Sequence, residues 1–319
     1  MNNQLLHAAP GAANTEQLQT LQYVLDGLMR RYQQRVPNVA AVIQAMQKAN
    51  LISDPTEIEN DHIAFRTMGV PHLGIASLEK VFLHYGYTRR DHYDFPRKKL
   101  TAHWYHPPQP ALPRIFISEL RVHELSPEAQ AIVTSYTDEV RTDPVDHLNL
   151  DDGAAVDAFL HQPLWRTPTW ADYRRLLSES EYAAWVIYNR YYLNHFTITV
   201  HNLPEAYNTI ETFNHFLEQN GFKLNDANGK IKVSNDGALI QSSLVAQMTT
   251  ATFAARQGGT EQHRIAGSYV EFAERRVLDD FSDLAPDQIG RQHRREGFDE
   301  GNADGIFEST YTTQTRKRT

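Results

Sequence analysis

DHIAFRT at residues 61–67 and NHFTITV at residues 194–200 are the two stretches that decide the fold. In each, polar and apolar residues alternate, which is the period of a strand with one face buried. The first sets Ile63 and Phe65 on one face and His62, Ala64 and Arg66 on the other. The second sets Phe196, Ile198 and Val200 against His195, Thr197, Thr199 and His201. A stretch of helical period follows each strand, IASLEKVFLHYG in the first case and PEAYNTIETFNHFLEQNG in the second, and the apolar strand face packs onto it. Three strand-like runs come next: YTRRDHYDF, KLTAHWYHP and PRIFISELRV in the first half, KIKVSNDG, ALIQSSLVAQM and SYVEFAERRV in the second. The order β-α-β-β-β thus occurs twice, and internal duplication explains it economically.

Outward from these two units the organisation is simple. Residues 1–55 read as N-terminal helices, with a polar, frayed first dozen, an amphipathic helix through Leu18, Leu21, Leu25, Leu28 and Met29, a break at Pro37 and a second short helix. The first unit takes residues 56–123. Residues 124–192 are helical in pattern and punctuated by Pro127, Pro144, Pro163 and Pro168, an insert between the units. The second unit takes residues 193–280, and 281–319 has little periodicity and a basic end, the pattern of a surface arm or a disordered tail. The fold class expected is α+β, two βαβββ modules with helices before and between them.

Composition closes several functional classes. The 31 Lys and Arg against 39 Asp and Glu give a net charge of −8, so no broad basic surface for nucleic acid is expected. With no cysteine, any metal must sit on His, Asp or Glu. No run of about 18 apolar residues suggests a membrane span, and the N-terminus lacks a basic stretch followed by an apolar one. A cytoplasmic protein is the expectation. The dinucleotide, P-loop, nucleophile-elbow and HExxH motifs are all absent.

Strand parity places His62 and His195 on polar inner faces, and in SYVEFAERR it places Tyr269, Glu271, Ala273 and Arg275 inward. Two His and one carboxylate make a facial triad that leaves coordination positions open on one side of a metal. Each of the three, taken alone, reads as well as an ordinary polar strand residue; the recurrence of His at the second position of DHIAF and NHFTI favours the ligand reading. Arg66 follows His62 by four residues, roughly 13 Å along one strand face. Its guanidinium suits a carboxylate bidentately, and the competing reading is an ion pair with a structural Glu. Gln241 and Ser243 share an inward parity and are candidate donors to substrate oxygens. Arg275 either orients substrate or, as the favoured reading, neutralises Glu271 and Glu274. His103 and His106 lie on opposite strand faces and His147 and His161 lie in the insert, so none of the four is expected to bind metal. WVIYNRYY reads as core packing.

DHIAFRT, NHFTITV and SYVEFAERR after QSSLVAQ resemble the 2-oxoadipate dioxygenase/decarboxylase family of the glyoxalase-like vicinal oxygen chelate superfamily. The resemblance runs in element order from about residue 15 to about residue 300. It implies a cupped sheet around a metal, with His62, His195 and Glu271 as ligands and Arg66 on a substrate carboxylate. It also implies Fe(II), with another divalent transition metal open, and conversion of 2-oxoadipate and O2 to 2-hydroxyglutarate and CO2 in lysine catabolism. A glyoxalase-type isomerase or extradiol-type dioxygenase on the same fold, and a non-catalytic small-molecule-binding protein, stay open as alternatives. Metal identity, substrate chain length and oligomeric state are not written in the sequence.

Overall fold

A computed structural model describes residues 13–316; the first dozen residues, expected to fray, and the last three lie outside the described residues. Asn14 caps helix α1 (Thr15–Arg35), its side chain accepting from the Gln17 amide while Gln17 reaches back to the Asn14 N–H. The stripe through Leu21, Val24, Leu25, Leu28 and Tyr32 is buried. Pro37 then opens α2 (Pro37–Lys48), where its missing N–H costs nothing.

The first unit is β1 (Asn60–Met68), α3 (Ile75–His84), β2 (Thr88–Phe95), β3 (Leu100–His106) and β4 (Arg114–Leu120). Four short helices follow: α4 (Pro127–Thr137), α5 (Gly153–Phe159), α6 (Trp170–Leu177) and α7 (Glu181–Asn189). The second unit is β5 (His195–Thr199), α8 (Ile210–Gln219), β6 (Lys232–Val233), β7 (Leu239–Ser243), β8 (Met248–Ala254), β9 (Thr260–Ala266) and β10 (Tyr269–Arg275). Eight strands form one sheet in the order β2-β3-β4-β1-β5-β10-β7-β6. Each half carries the same sequence of neighbours read outward from the centre, and β1 and β5 join the halves antiparallel. Within each half the first strand is parallel to the last, β1 to β4 and β5 to β10.

Two features depart from the simple repeat. KIKVSNDG contributes only the two residues of β6, and β8 with β9 forms a separate hairpin inserted before the closing strand. The outer face of the sheet is covered as alternation demands: Phe65 meets Phe82 of α3, and Phe272 meets Phe213 of α8, with ring centroids 5.5 and 5.1 Å apart. The inner face forms the cup. Across it runs the stretch from residue 281 onward, through α9 (Glu300–Phe307) and a last turn α10 (Thr312–Thr315), which buries Phe298, Ile306 and Phe307. Among the described residues no helix is long and apolar enough to cross a membrane.

Candidate metal centre

β1, β5 and β10 are adjacent strands, so the register decides what meets on the inner face. Ala64 pairs with His195, and His195 with Tyr269; one row further, Thr197 pairs with Glu271. Between the pairs Asn60–Ile198 and Ile63–Phe196 the register slips, so that both Asp61 and His62 lie opposite Thr197. This β-bulge breaks the alternation and lets two consecutive side chains work on one site. The result is convergence of His62, His195 and Glu271, all buried, with ligand atoms within 4.8 Å of one another. His62 Nε2 lies 3.3 Å from His195 Nε2 and 3.5 Å from Glu271 Oε1, and His195 Nε2 lies 3.0 Å from Glu271 Oε2. Adjacent ligands around a metal bound at about 2.1 Å stand roughly 3 Å apart, so the donor set fits an ion in both chemistry and spacing.

Each imidazole is oriented from behind. His62 Nδ1 lies 2.8 Å from Asp61 Oδ2, and His195 Nδ1 lies 3.2 Å from Asn194 Oδ1. An acceptor at Nδ1 fixes the proton there and leaves the Nε2 lone pair to face the centre. Gln241 donates from Nε2 to Glu271 Oε1 at 2.6 Å and accepts from Asn302 Nδ2 at 3.0 Å, so its amide holds the carboxylate in place. Asp61 in turn accepts from Arg275 Nε at 2.6 Å, Arg275 Nη2 at 2.9 Å and Arg114 Nη1 at 3.1 Å. Arg275, expected to neutralise Glu271 and Glu274, therefore pairs with Asp61 instead, because the bulge turns Asp61 inward where parity would have sent it out.

The charges follow this wiring. Burial alone would raise the Asp61 carboxyl, but Arg275 and Arg114 hold it well below the usual range. Burial works against a proton on His62, yet Glu271 and Asp61 outweigh it and raise its affinity for one. His195 is pushed well below the ordinary imidazole range by burial and then by the charges of His62 and Arg66. A proton and a cation therefore compete for His62.

Arg66 lies two rows from His62 along β1 and is 1% exposed. Its Nη1 donates to Thr310 Oγ1 and its Nη2 to the Phe307 carbonyl, both at 2.9 Å. The rings of Tyr182, Trp185 and Phe307 surround it, so one aromatic from the WVIYNRYY run packs against the site. No carboxylate ion-pairs with it among the described residues, which removes the competing ion-pair reading. Ser243 is buried against Ser309, 2.9 Å between hydroxyls, and is not among the residues lining the cavity. The cavity beside the ligands measures about 20 Å³ and is walled by Phe116, Phe298, Ile306 and Phe307. His103 sits beside His92 on the outer strands, His161 bonds the Asp157 carbonyl, and neither joins the centre.

With that geometry in view, the comparisons are specific. The family model for 2-oxoadipate dioxygenase/decarboxylase matches residues 24–284. The chain belongs to this family. A 2-oxoadipate dioxygenase/decarboxylase of Oryza sativa subsp. japonica, named as chloroplastic/amyloplastic, is 43% identical over 305 residues, covering 92% of this chain and 80% of that protein. The crystal structure of the hydroxyglutarate synthase from Oryza sativa in complex with 2-oxoadipate is 40% identical and superposes with a TM-score of 0.84, over 99% of this chain and 100% of that one. A glyoxalase superfamily protein from Ralstonia eutropha JMP134, 22% identical, matches the fold with a TM-score of 0.70 over 94% of this chain and 92% of that one. The α+β cup of the glyoxalase type is therefore the architecture of this family member. The cytoplasmic expectation is overturned by the plastid location in the rice relative's name.

Proposed function

We propose that this protein is an Fe(II)-dependent dioxygenase/decarboxylase that converts 2-oxoadipate and O2 to 2-hydroxyglutarate and CO2, a step of lysine catabolism. The atoms balance without a second 2-oxo acid or a reductant, because both oxygens of O2 end in the products. The observation that carries the substrate reading is Arg66: a buried guanidinium with no carboxylate partner among the described residues, on the same strand face as His62. A buried cation without an anion is costly, and a diacid reaching from the metal ligands would supply the anion. The nitrogen and carboxylate donors suit Fe(II) and neighbouring divalent ions alike.

His62, His195 and Glu271 would hold the metal, which when bound supplies chelation of the 2-oxo acid, Lewis acidity and redox chemistry with O2. The protein's part is positional. Asp61 and Asn194 keep the histidine protons on Nδ1, Gln241 fixes Glu271, and Arg66 receives the far carboxylate. Phe298, Ile306 and Phe307 cover the ligands, and the space of about 20 Å³ beneath them is too small for a six-carbon acid unless their side chains turn aside. Among the described residues Glu271 is the one carboxylate on the cavity wall, and Asp61 is tied to two arginines, so none of them offers a second carboxylate there to serve as the base of an isomerase.

The test is O2 uptake with a panel of 2-oxo acids, metal added or stripped. Uptake with 2-oxoadipate, matched by CO2 and 2-hydroxyglutarate and dependent on Fe(II), is expected. Arg66→Ala should keep the metal and lose roughly ten- to hundredfold in kcat/KM on the diacid, with Arg66→Lys restoring part of it. No uptake by the metal-loaded protein on any 2-oxo acid would end the oxygenase reading.

A further inference from the structure

Tyr269 stands one inward position before Glu271 on β10 and pairs directly with His195. It is wholly buried, it lines the metal cavity, and its ring lies against that of His195 with centroids 4.9 Å apart. Its hydroxyl lies close to the Arg66 guanidinium and to Ser309 but makes no well-aligned hydrogen bond among the described residues, and neither does Arg66 Nε. The two are neighbours: after burial, which raises the Tyr269 phenol, the Arg66 charge is the largest influence on it and opposes the rise.

The inner face explains how they meet. Its rows, read from the pairings, are His62–Thr197–Glu271 at the ligands, Ala64–His195–Tyr269 next, and then the row that Arg66 occupies. Neighbouring rows are roughly 6.7 Å apart, within the length of a tyrosine side chain. Arg66 spends its Nη atoms on Thr310 and the Phe307 carbonyl. What remains is an N–H and an O–H from two strands, both donors. Buried donors left unpaired are rare and call for an explanation; a carboxylate, with two accepting oxygens, satisfies both.

We infer that the Tyr269 hydroxyl completes the clamp on the substrate's far carboxylate, donating to one oxygen while Arg66 Nε–H donates to the other, and so sets the preference for a charged tail. This rests on the 2-oxo diacid reading above. It makes Tyr269 a specificity-determining residue, not a metal ligand or a proton carrier.

Tyr269→Phe keeps the ring and deletes only the hydroxyl. Binding is read first without oxygen, on metal-loaded protein, from the rise in unfolding temperature with added 2-oxoadipate or with 2-oxohexanoate, which has the same chain length and no second carboxylate. The ratio of the two affinities should fall roughly tenfold or more in the variant, as expected for one hydrogen bond to a charged group. In air, the loss on 2-oxoadipate should appear mainly in KM, with kcat less affected. Without any 2-oxo acid the variant should unfold at the same temperature as wild type or higher, because the deleted hydroxyl makes no well-aligned hydrogen bond among the described residues. An unchanged affinity ratio overturns the inference, and so does a lower unfolding temperature without ligand, which would mark a structural tyrosine. Failure of the wild type to consume O2 on any 2-oxo acid is a different result: it removes the oxygenase reading, whereas the anaerobic affinity ratio still decides the clamp.

Discussion

Asp61→Asn changes one atom of a buried side chain and removes the charge on which His62, Arg275 and Arg114 all depend. Both arginines are 1% exposed, so the charge they lose is not replaced by water. Arg114 keeps Glu296 as a second partner, whereas Arg275 has only backbone carbonyls left, those of Arg295 and Gly297. Breaking a buried ionic group on one side costs about 3–5 kcal/mol; at roughly 2 °C per kcal/mol for a chain of this size, Tm should fall by roughly 6–10 °C. The amide also presents an N–H to a donor on one of its two sides. If that side is His62, the imidazole shifts its proton to Nε2 and loses the lone pair that faces the metal. Removing an oriented acceptor of this kind weakens a metal site about 10–100-fold. Chelator competition at neutral pH measures the affinity and thermal unfolding of the metal-free protein measures the stability. The sign of the pH dependence is fixed as well. Arg275 and Arg114 overcome burial and hold the Asp61 carboxyl well below its ordinary value of 3.8, so its contribution is complete above that value and disappears only as pH falls through the lower, folded one. The carboxylate's own part of the stability gap should hold down to about pH 4 and close below it, while lost support for a proton on His62 should widen the gap as pH falls through the imidazole range. Unchanged metal affinity in a folded Asp61→Asn protein would refute the orienting role of Asp61, whatever happened to Tm.

Other outcomes follow from the same wiring. His62→Ala, His195→Ala and Glu271→Ala should each abolish stoichiometric metal binding in a folded protein, with His103→Ala as the silent control; full occupancy in any of the three would remove that residue from the ligand set. Because Glu271 and Asp61 raise the proton affinity of His62 against its burial, metal and proton compete already above pH 6.5. Affinity should decline from neutral pH downward, and a flat profile between pH 7.5 and 6 would contradict the shared site. His201, whose Nδ1 accepts from the Arg275 N–H, is lowered to about 3 by burial and the nearby Arg294 charge. Its contribution to stability is complete above about 6.5 and should be lost as pH falls from there toward 3; His201→Gln should flatten that slope.

How much of this was legible in the sequence differs from residue to residue. Alternation in DHIAFRT, NHFTITV and SYVEFAERR was enough to place His62, His195, Glu271 and Arg66 on inner faces, because a half-buried strand writes its period into local composition. The repeat of a β-α-β-β-β order supplied the fold class for the same reason. Asp61 escaped, although it stands beside His62 just as Asn194 stands beside His195. Strict alternation sends neighbours to opposite faces, and only the bulge at Asp61 and His62 reverses that. The pairing of DH with NH at matching positions was the available signal. α9 and its burial over the cup escaped too, since a short helix of Gly, Asn and Asp with few apolar residues has no clear period.

The sequence by itself determined which residues could serve: two histidines, one glutamate and one arginine, on strands whose faces follow from nearest-neighbour sterics. Tertiary structure alone decided which of the polar residues were spent and which left over. Gln241 went to Glu271, Ser243 to Ser309 and Arg275 to Asp61, while Arg66 Nε and the Tyr269 hydroxyl were left without a well-aligned hydrogen bond among the described residues. Those assignments depend on strand register and on a segment more than 200 residues away along the chain closing the cup. Hydrogen bonding in a buried site is a competition among all donors and acceptors present, and its outcome is set by distances that no local pattern contains.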